Sequence, residues 1–246
     1  MKSSAVLALA MAGSTAAFAP TSSTQASTSS TSLQAAMPDR LWNTMVDKTE
    51  RSRAVPFLPR PINLDGSSPG DQGFDPFYLS SIPKNFAGFL QPPSWEETGG
   101  ISTLYWMREA EIKHCRVAML AVTGWIATDF GVRFPGAGAP YTDIPNAYNA
   151  HNILVDQGTM TVMLLAIGFV EFCTGAALVQ VSKGELTDRD AGDFGFDGGL
   201  LKGKSAEAIK TMKTKEVNNG RLAMLAFGGI ATQTALGEAT QSFPYF

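Results

Sequence analysis

Three long stretches of the chain are apolar along most of their length, and two of them open on charge. They run over about residues 102–130, 153–181 and 206–236. The first and third begin with charged, helix-forming residues and turn apolar at Val117 and Leu222. The second is apolar over residues 159–170 and then meets Glu171. Charge is nearly absent over residues 117–127 and 222–236, on every face of a helix. A soluble amphipathic helix would keep one polar face there. At about 1.5 Å per residue, each stretch can cross a hydrocarbon core of about 30 Å. A soluble helical bundle is the competing arrangement, because no stretch has twenty uninterrupted apolar residues. The pattern predicts an all-α fold with three transmembrane helices. The Pro- and Gly-rich residues 131–149 and 182–204 read as loops. Residues 39–93 read as an extended arm with turns at Asp65-Gly66 and Pro69-Gly70. The arm interleaves Phe57, Leu58, Ile62, Leu64, Phe74, Phe77 and Phe86, which call for an apolar surface to lie on.

The two charged openings repeat one another. The first carries Glu111-Ile112-Lys113-His114-Cys115-Arg116-Val117-Ala118-Met119-Leu120. The third carries Glu216-Val217-Asn218-Asn219-Gly220-Arg221-Leu222-Ala223-Met224-Leu225. Gly73-Phe74-Asp75-Pro76 precedes the first copy, and Gly195-Phe196-Asp197-Gly198 precedes the second. Two anchors in one order imply a duplicated unit, and such units often pack about a pseudo-two-fold axis. On a helix at about 100° per residue, Glu111 and His114 share a face, whereas Arg116 lies about 140° from Glu111. Glu216, Asn219 and Arg221 repeat that geometry. If the first and third helices cross about the axis, Glu111 meets Arg221 and Glu216 meets Arg116. Each intramembrane charge then has a partner, and guanidinium suits the role because it binds carboxylate in a planar fork. Ala118, Ala121 and Gly124, with Gly220, Ala223, Ala226 and Gly229, are small enough for close approach.

The pairs leave a neutral His114 and Asn219 near each glutamate, each offering a lone pair outward. A Lewis-acidic metal in a flat macrocycle accepts such an axial ligand. A glutamate already paired to arginine can also ligate, since the pair as a whole is neutral. Gln233 lies about 40° off the face of Asn219 and about 21 Å further along the helix. It can serve as a ligand near the opposite end or bond a neighbouring helix. His151, placed in the loop before the middle helix, is a further candidate, either as a ligand or as a capping, water-facing residue.

Charge changes the picture by exclusion. Lys and Arg number 19 against 22 Asp and Glu, without a basic stripe, so nucleic acid is not an expected partner. Cys115 and Cys173 are too few for a disulfide framework and read as small buried hydrophobes. The N-terminus has the layout of a targeting segment. Lys2 precedes an apolar stretch over residues 5–12, and no acidic residue appears before Asp39. Residues 1–36 therefore read as a presequence: a signal peptide over about 1–17 and a Ser/Thr-rich transit peptide over about 18–36. An ordinary secreted protein with a Ser/Thr-rich stalk is the alternative. Ala16-Ala17-Phe18-Ala19-Pro20 resembles the cleavage junction of plastid precursors in algae with red-derived plastids.

The paired motifs resemble the light-harvesting chlorophyll-binding protein family of three-helix thylakoid antennae, and the likeness covers nearly all of residues 37–246. It implies that Glu111, His114, Glu171, Glu216, Asn219 and Gln233 ligate chlorophyll magnesium, and that Arg116 and Arg221 are locking residues. It also implies that the Phe74-Asp75-Pro76 and Phe196-Asp197 segments cradle two carotenoid head groups. Met163 stands where the green-plant pattern has a glutamine ligand, and no histidine follows Gln233. Both departures fit the red-lineage branch, including the fucoxanthin chlorophyll a/c proteins. The arm Val55-Pro56-Phe57-Leu58-Pro59-Arg60-Pro61, with Leu64-Asp65-Gly66 and Pro69-Gly70-Asp71, resembles red-lineage antennae of photosystem I. The implied cofactors are chlorophyll a, chlorophyll c and fucoxanthin or a related xanthophyll. The implied partners are a photosystem core, neighbouring antenna subunits and thylakoid lipids, and no enzyme activity is implied. A photoprotective, energy-dissipating member would share the same ligands. A di-iron carboxylate enzyme also uses Glu-x-x-His, but needs two such motifs and two further glutamates on four helices.

The presequence reading makes one prediction. Protein extracted from the plastid membrane should begin near residue 37, as N-terminal sequencing will show; an intact Met1 terminus refutes it.

Overall fold

The computed structural model describes residues 44–82, 101–133, 144–186, 188–237, 243 and 245. All of these belong to one compact unit, Asp39–Phe246. The presequence and Phe86 lie outside the described residues. The elements are β1 (Val46–Arg51), β2 (Pro59–Pro61), α1 (Thr103–Asp129), α2 (Ala147–Asp156), α3 (Thr159–Ser182) and α4 (Ala206–Leu236).

Serine starts both charged helices. Ser102 accepts a hydrogen bond from Tyr105 N, and Ser205 accepts one from Ala208 N. Each cap satisfies a backbone donor that the first helical turn leaves unpaired. The expected first and third stretches are thus α1 and α4. The middle stretch departs from expectation. Its helix begins earlier, at Ala147, where Asn146 accepts from Asn149 N and Asp129 Oδ1 accepts from Ala147 N at 2.7 Å. It then breaks between Asp156 and Thr159, where Gly158 takes a left-handed φ of 77°. That conformation is open to glycine because it has no Cβ. His151, expected in a loop, lies on α2 with Nδ1 3.2 Å from Asn152 Oδ1.

The described chain is therefore predominantly helical, with four helices where three were expected. Among them α3 alone is long and apolar enough to cross a membrane, at a mean hydropathy of 2.2 over its most apolar window. The charged openings of α1 and α4 make both helices less apolar than α3. Apolar α3 side chains face outward: Leu164 is 68%, Phe169 69% and Phe172 78% exposed. A helix that is apolar all round and unburied matches an apolar solvent, not a protein core. Cys115 is buried as expected, whereas Cys173, on this outward-facing helix, is exposed.

The arm is more ordered than its composition suggests. β1 and β2 pair antiparallel, with Val46 opposite Pro61 and Asp47 opposite Arg60. Arg60 also bonds Asp47 at 2.8 Å. Met45 and Val46 pack with Tyr78 into a small core against Ile82. The Tyr78 hydroxyl donates to Pro59 O, and burial, with the Asp75 charge, raises it above the usual phenol range. The expected turns hold Gly66 and Gly70 at positive φ. Phe57, Phe74 and Phe77 are nonetheless 79%, 66% and 65% exposed, so the described residues do not bury them.

The closest helix packing joins α1 and α4. A Cβ placed on Gly220 would lie 2.2 Å from Cys115 Cβ, so the backbones meet there. Ile112, Ala118 and Val217 are buried around this point. Gly124 and Gly229, expected to help the approach, have open space instead. Further along, Trp125 meets Phe227 edge-on at 5.8 Å. At the far end Tyr245 returns to α1 and donates to Asp129 Oδ2 at 2.6 Å. Burial, then that hydrogen bond, push its hydroxyl well above the usual range.

Gly220→Ala should lower stability by about 2 kcal/mol or more, because the added methyl forces the crossing apart. Gly124→Ala should be neutral or gain about 0.5 kcal/mol from helix propensity. Thermal midpoints of the two variants will check the contrast; equal midpoints would remove the tight crossing.

Candidate functional site

The repeated motif assembles as reciprocal ion pairs. Arg116 Nε donates to Glu216 Oε1 at 2.8 Å, and Arg221 Nε donates to Glu111 Oε1 at 2.9 Å. Each arginine has a second target in a loop. Arg116 Nη1 donates to Gly192 O at 2.7 Å, and Arg221 Nη1 donates to Gly70 O at 2.8 Å. The loop before α1 thus docks on α4, and the loop before α4 docks on α1. Arginine suits this double duty because its donors radiate in a fixed plane.

Both loop glycines are sterically required. Gly70 and Gly192 have φ of 73° and 75°. A Cβ on Gly70 would come 2.9 Å from Val217 Cγ1, and one on Gly192 would come 2.6 Å from Ile112 Cγ2. Ile112 and Val217 occupy the same place in the two motifs. The aspartate after each glycine folds its loop alike: Asp71 Oδ1 accepts from Gly73 N, and Asp193 Oδ1 accepts from Gly195 N. The repeat therefore reads Gly-Asp-x-Gly-Phe-Asp at residues 70–75 and 192–197, three residues longer upstream than the first reading. Extending that comparison upstream would have found it. Its loop carbonyls, as acceptors for the arginines, leave no mark in sequence.

The halves differ in one contact. Gly70 N donates to Thr214 Oγ1, whereas Gly192 N donates to Glu109 Oε2. Glu109 is buried and paired to Arg189 at 3.0 Å, a bridge the sequence reading missed. Burial opposes the Arg189 charge, but the Glu109 hydrogen bond and charge outweigh it and raise its pKa. An Arg189 some eighty residues from Glu109 carries no local spacing signal.

The candidate ligands lie around this clamp. His114 is exposed, and its Nδ1 lies 2.8 Å from Ala110 O. A carbonyl only accepts, so Nδ1 carries the proton and Nε2 keeps its lone pair. In both ion pairs the arginine engages Oε1, and among the described residues no hydrogen bond falls on Oε2 of Glu111 or Glu216. Asn219 and Gln233 are exposed on α4. Glu171 is exposed on α3 and paired with Lys113 at 2.6 Å, a partner not anticipated. His151 lies apart, on α2. The chain thus brings together Glu111, Arg116, Glu216 and Arg221. It sets His114, Asn219, Gln233 and Glu171 at separate outward positions. No cluster of three or more metal-binding side chains of the di-iron kind occurs among the described residues.

A cleft of about 590 Å3 opens beside the clamp, between α1, α4 and the loop before α4. Ile112, Phe196, Leu200 and Met212 supply apolar walls, with Arg116 and Asp197 as polar groups. Arg108, Asp190, Asp193, Lys213 and Glu216 line it as well, so the cleft combines an apolar wall with several charged groups.

The family described as Chlorophyll A-B binding protein matches residues 60–235. Chlorophyll a-b binding protein 1B-21, chloroplastic, of Hordeum vulgare is 32% identical over 200 residues, covering 75% of this chain and 68% of the relative. Light-harvesting complex stress-related protein 3.2, chloroplastic, of Chlamydomonas reinhardtii is 35% identical over 176 residues, covering 68% and 66%. Photosystem I chlorophyll a/b-binding protein 6, chloroplastic, of Arabidopsis thaliana is 33% identical over 185 residues, covering 69% and 60%.

The clamp predicts an asymmetry between single and double changes. Arg116→Leu strands Glu216 and frees Gly192 O, and should cost about 3 kcal/mol, the low end for a buried pair since both side chains are partly exposed. Arg116→Leu with Glu216→Leu should cost less than the single change. A double-mutant cycle on thermal midpoints will read the coupling; simple additivity would mean that the two side chains do not interact.

Proposed function

The chain belongs to the chlorophyll A-B binding protein family, and from this premise we propose that it is a light-harvesting antenna. It binds chlorophylls and carotenoids in the plastid thylakoid membrane and passes excitation to a photosystem. The observation that carries the reading is the reciprocal Glu–Arg clamp, with His114 Nε2 and both Oε2 atoms left as donors beside it. Such a donor set fits chlorophyll magnesium: one neutral imidazole and two carboxylates whose charge an arginine balances. When bound, the pigment supplies the light absorption and an excited state that can move to a neighbour. The chain holds each magnesium at a fixed place along a rigid helix. Glu111, His114, Glu171, Glu216, Asn219 and Gln233 are the proposed ligands, and Arg116 and Arg221 set the geometry. The cleft lined by Phe196 and by charged residues such as Asp197 and Lys213 is the proposed seat of a carotenoid's polar end group.

In this reading α1, α3 and α4 all cross the membrane, with α1 and α4 related by a pseudo-two-fold axis. Reciprocal charge pairing supports it, because the charges that lower the apolarity of α1 and α4 neutralise one another at the crossing. Residues 1–36 act as the plastid presequence. The finer assignment is to the red-lineage branch, with chlorophyll a, chlorophyll c and fucoxanthin or a related xanthophyll, associated with photosystem I. Met163, the absence of histidine after Gln233 and the form of the arm support it. The relative from Arabidopsis thaliana, named for photosystem I, is consistent with the partner. The second reading is energy dissipation, favoured by the relative from Chlamydomonas reinhardtii named stress-related. Excited-state lifetime of the isolated pigment-protein separates the two: long for harvesting, shortened for dissipation. Pigment extraction from the purified protein tests the cofactors.

His114→Leu should remove one chlorophyll while the protein still folds, because the histidine faces away from the clamp. Chlorophyll counted against carotenoid after refolding with pigments will check it; an unchanged count means that His114 is not a ligand.

A further inference from the structure

Glu171 is the one charged residue of α3, and its counter-charge comes from another helix. Lys113 Nζ on α1 lies 2.6 Å from Glu171 Oε2 and 3.0 Å from Thr174 Oγ1, about one turn on. The same ammonium stands 5.8 Å from the ring centroid of Phe194, in the loop before α4, within cation–π range. Lys113 therefore touches α3 and the docking loop from its place on α1. The carboxylates nearest it on its own helix have other partners: Glu109 pairs with Arg189 and Glu111 with Arg221. The lysine is the covered member of its pair, 23% exposed against 55% for Glu171. Among the described residues no hydrogen bond falls on Glu171 Oε1.

We propose that Lys113 is the positioning residue for a chlorophyll ligand at Glu171. It grips Oε2, fixes the carboxylate and leaves Oε1 of this exposed side chain as the donor atom; this rests on the reading of Glu171 as a magnesium ligand given above. The arrangement reproduces the logic of the two arginine clamps with a different cation. An ammonium is a compact charge with three rotatable donors, so Lys113 serves the carboxylate and the Thr174 hydroxyl together. The balanced pair is neutral as a whole, which lets a carboxylate stand on an otherwise uncharged, outward-facing helix. The same contact ties α3 to α1, so one side chain places both the helix and its ligand atom.

The test uses the mature chain refolded with its pigments, comparing wild type with Lys113→Met, Lys113→Arg, Glu171→Met and the swap Lys113→Glu with Glu171→Lys. Chlorophyll per chain, difference absorption spectra and thermal midpoints are read for each. Lys113→Met should lose one chlorophyll, and its difference spectrum should superimpose on that of Glu171→Met. Lys113→Arg should keep the pigment. The swap should recover the midpoint lost in Lys113→Met yet still lack that chlorophyll, because an ammonium has no lone pair to give. A purely structural bridge would instead let the swap restore both. If Glu171→Met loses a chlorophyll and Lys113→Met loses none, or loses a different absorption band, the positioning role falls and the ligand stands. If Glu171→Met or the swap keeps every chlorophyll, the ligand reading itself is overturned, and the positioning role with it.

Discussion

Two guanidinium groups hold the fold together. Each binds a glutamate on the opposite helix and a glycine carbonyl in the loop of the opposite repeat. A charge inside an apolar helix is tolerable only when it is paired, so the pairing decides which helices meet and in what register. Once Arg116 faces Glu216 and Arg221 faces Glu111, the crossing point is set at Cys115 and Gly220. His114 and Asn219 are then turned outward by helix geometry alone. The outward placement of the proposed ligands thus follows from the electrostatic lock and needs no separate scaffold.

The loops make the lock a closed circuit. Gly70 and Gly192 each put a carbonyl on an arginine and a Cα against an apolar side chain of the motif, Val217 or Ile112. A side chain at either glycine would meet both a steric and a conformational barrier, since both sit at positive φ. Lys113 and Glu171 add the remaining tie, from α1 to α3. Every strong link between helices in the charged half runs through α1, which makes it the hub of the described unit.

Much of this was legible in the sequence, and what was not has physical reasons. The extents of α1 and α4 followed from their charged openings and apolar runs, and the Glu–Arg pairs followed from spacing on a helix. The loop acceptors did not, because a backbone carbonyl has no residue type. The Lys113–Glu171 pair joins two helices through residues 58 apart in sequence, so no local spacing announces it. The break at Gly158 rests on a single left-handed residue just after Asp156-Gln157, at the edge of the apolar run, and periodicity barely registers one residue. The exposed Phe57, Phe74 and Phe77 were expected on an apolar surface, and the described residues do not provide it.

The asymmetry of Cys115 against Gly220 bears on how the two halves recognise each other. Two copies of the first repeat could satisfy their charges mutually, each Glu111 on the other's Arg116. They would also set cysteine against cysteine where the backbones leave no room for even one added Cβ. Pairing a side chain with a bare glycine makes the two halves mates by shape, while the charges alone would accept a twin. Self-association between first repeats of separate chains is thereby disfavoured by geometry. The lock closes within one molecule because its two faces are unequal where the backbones come closest.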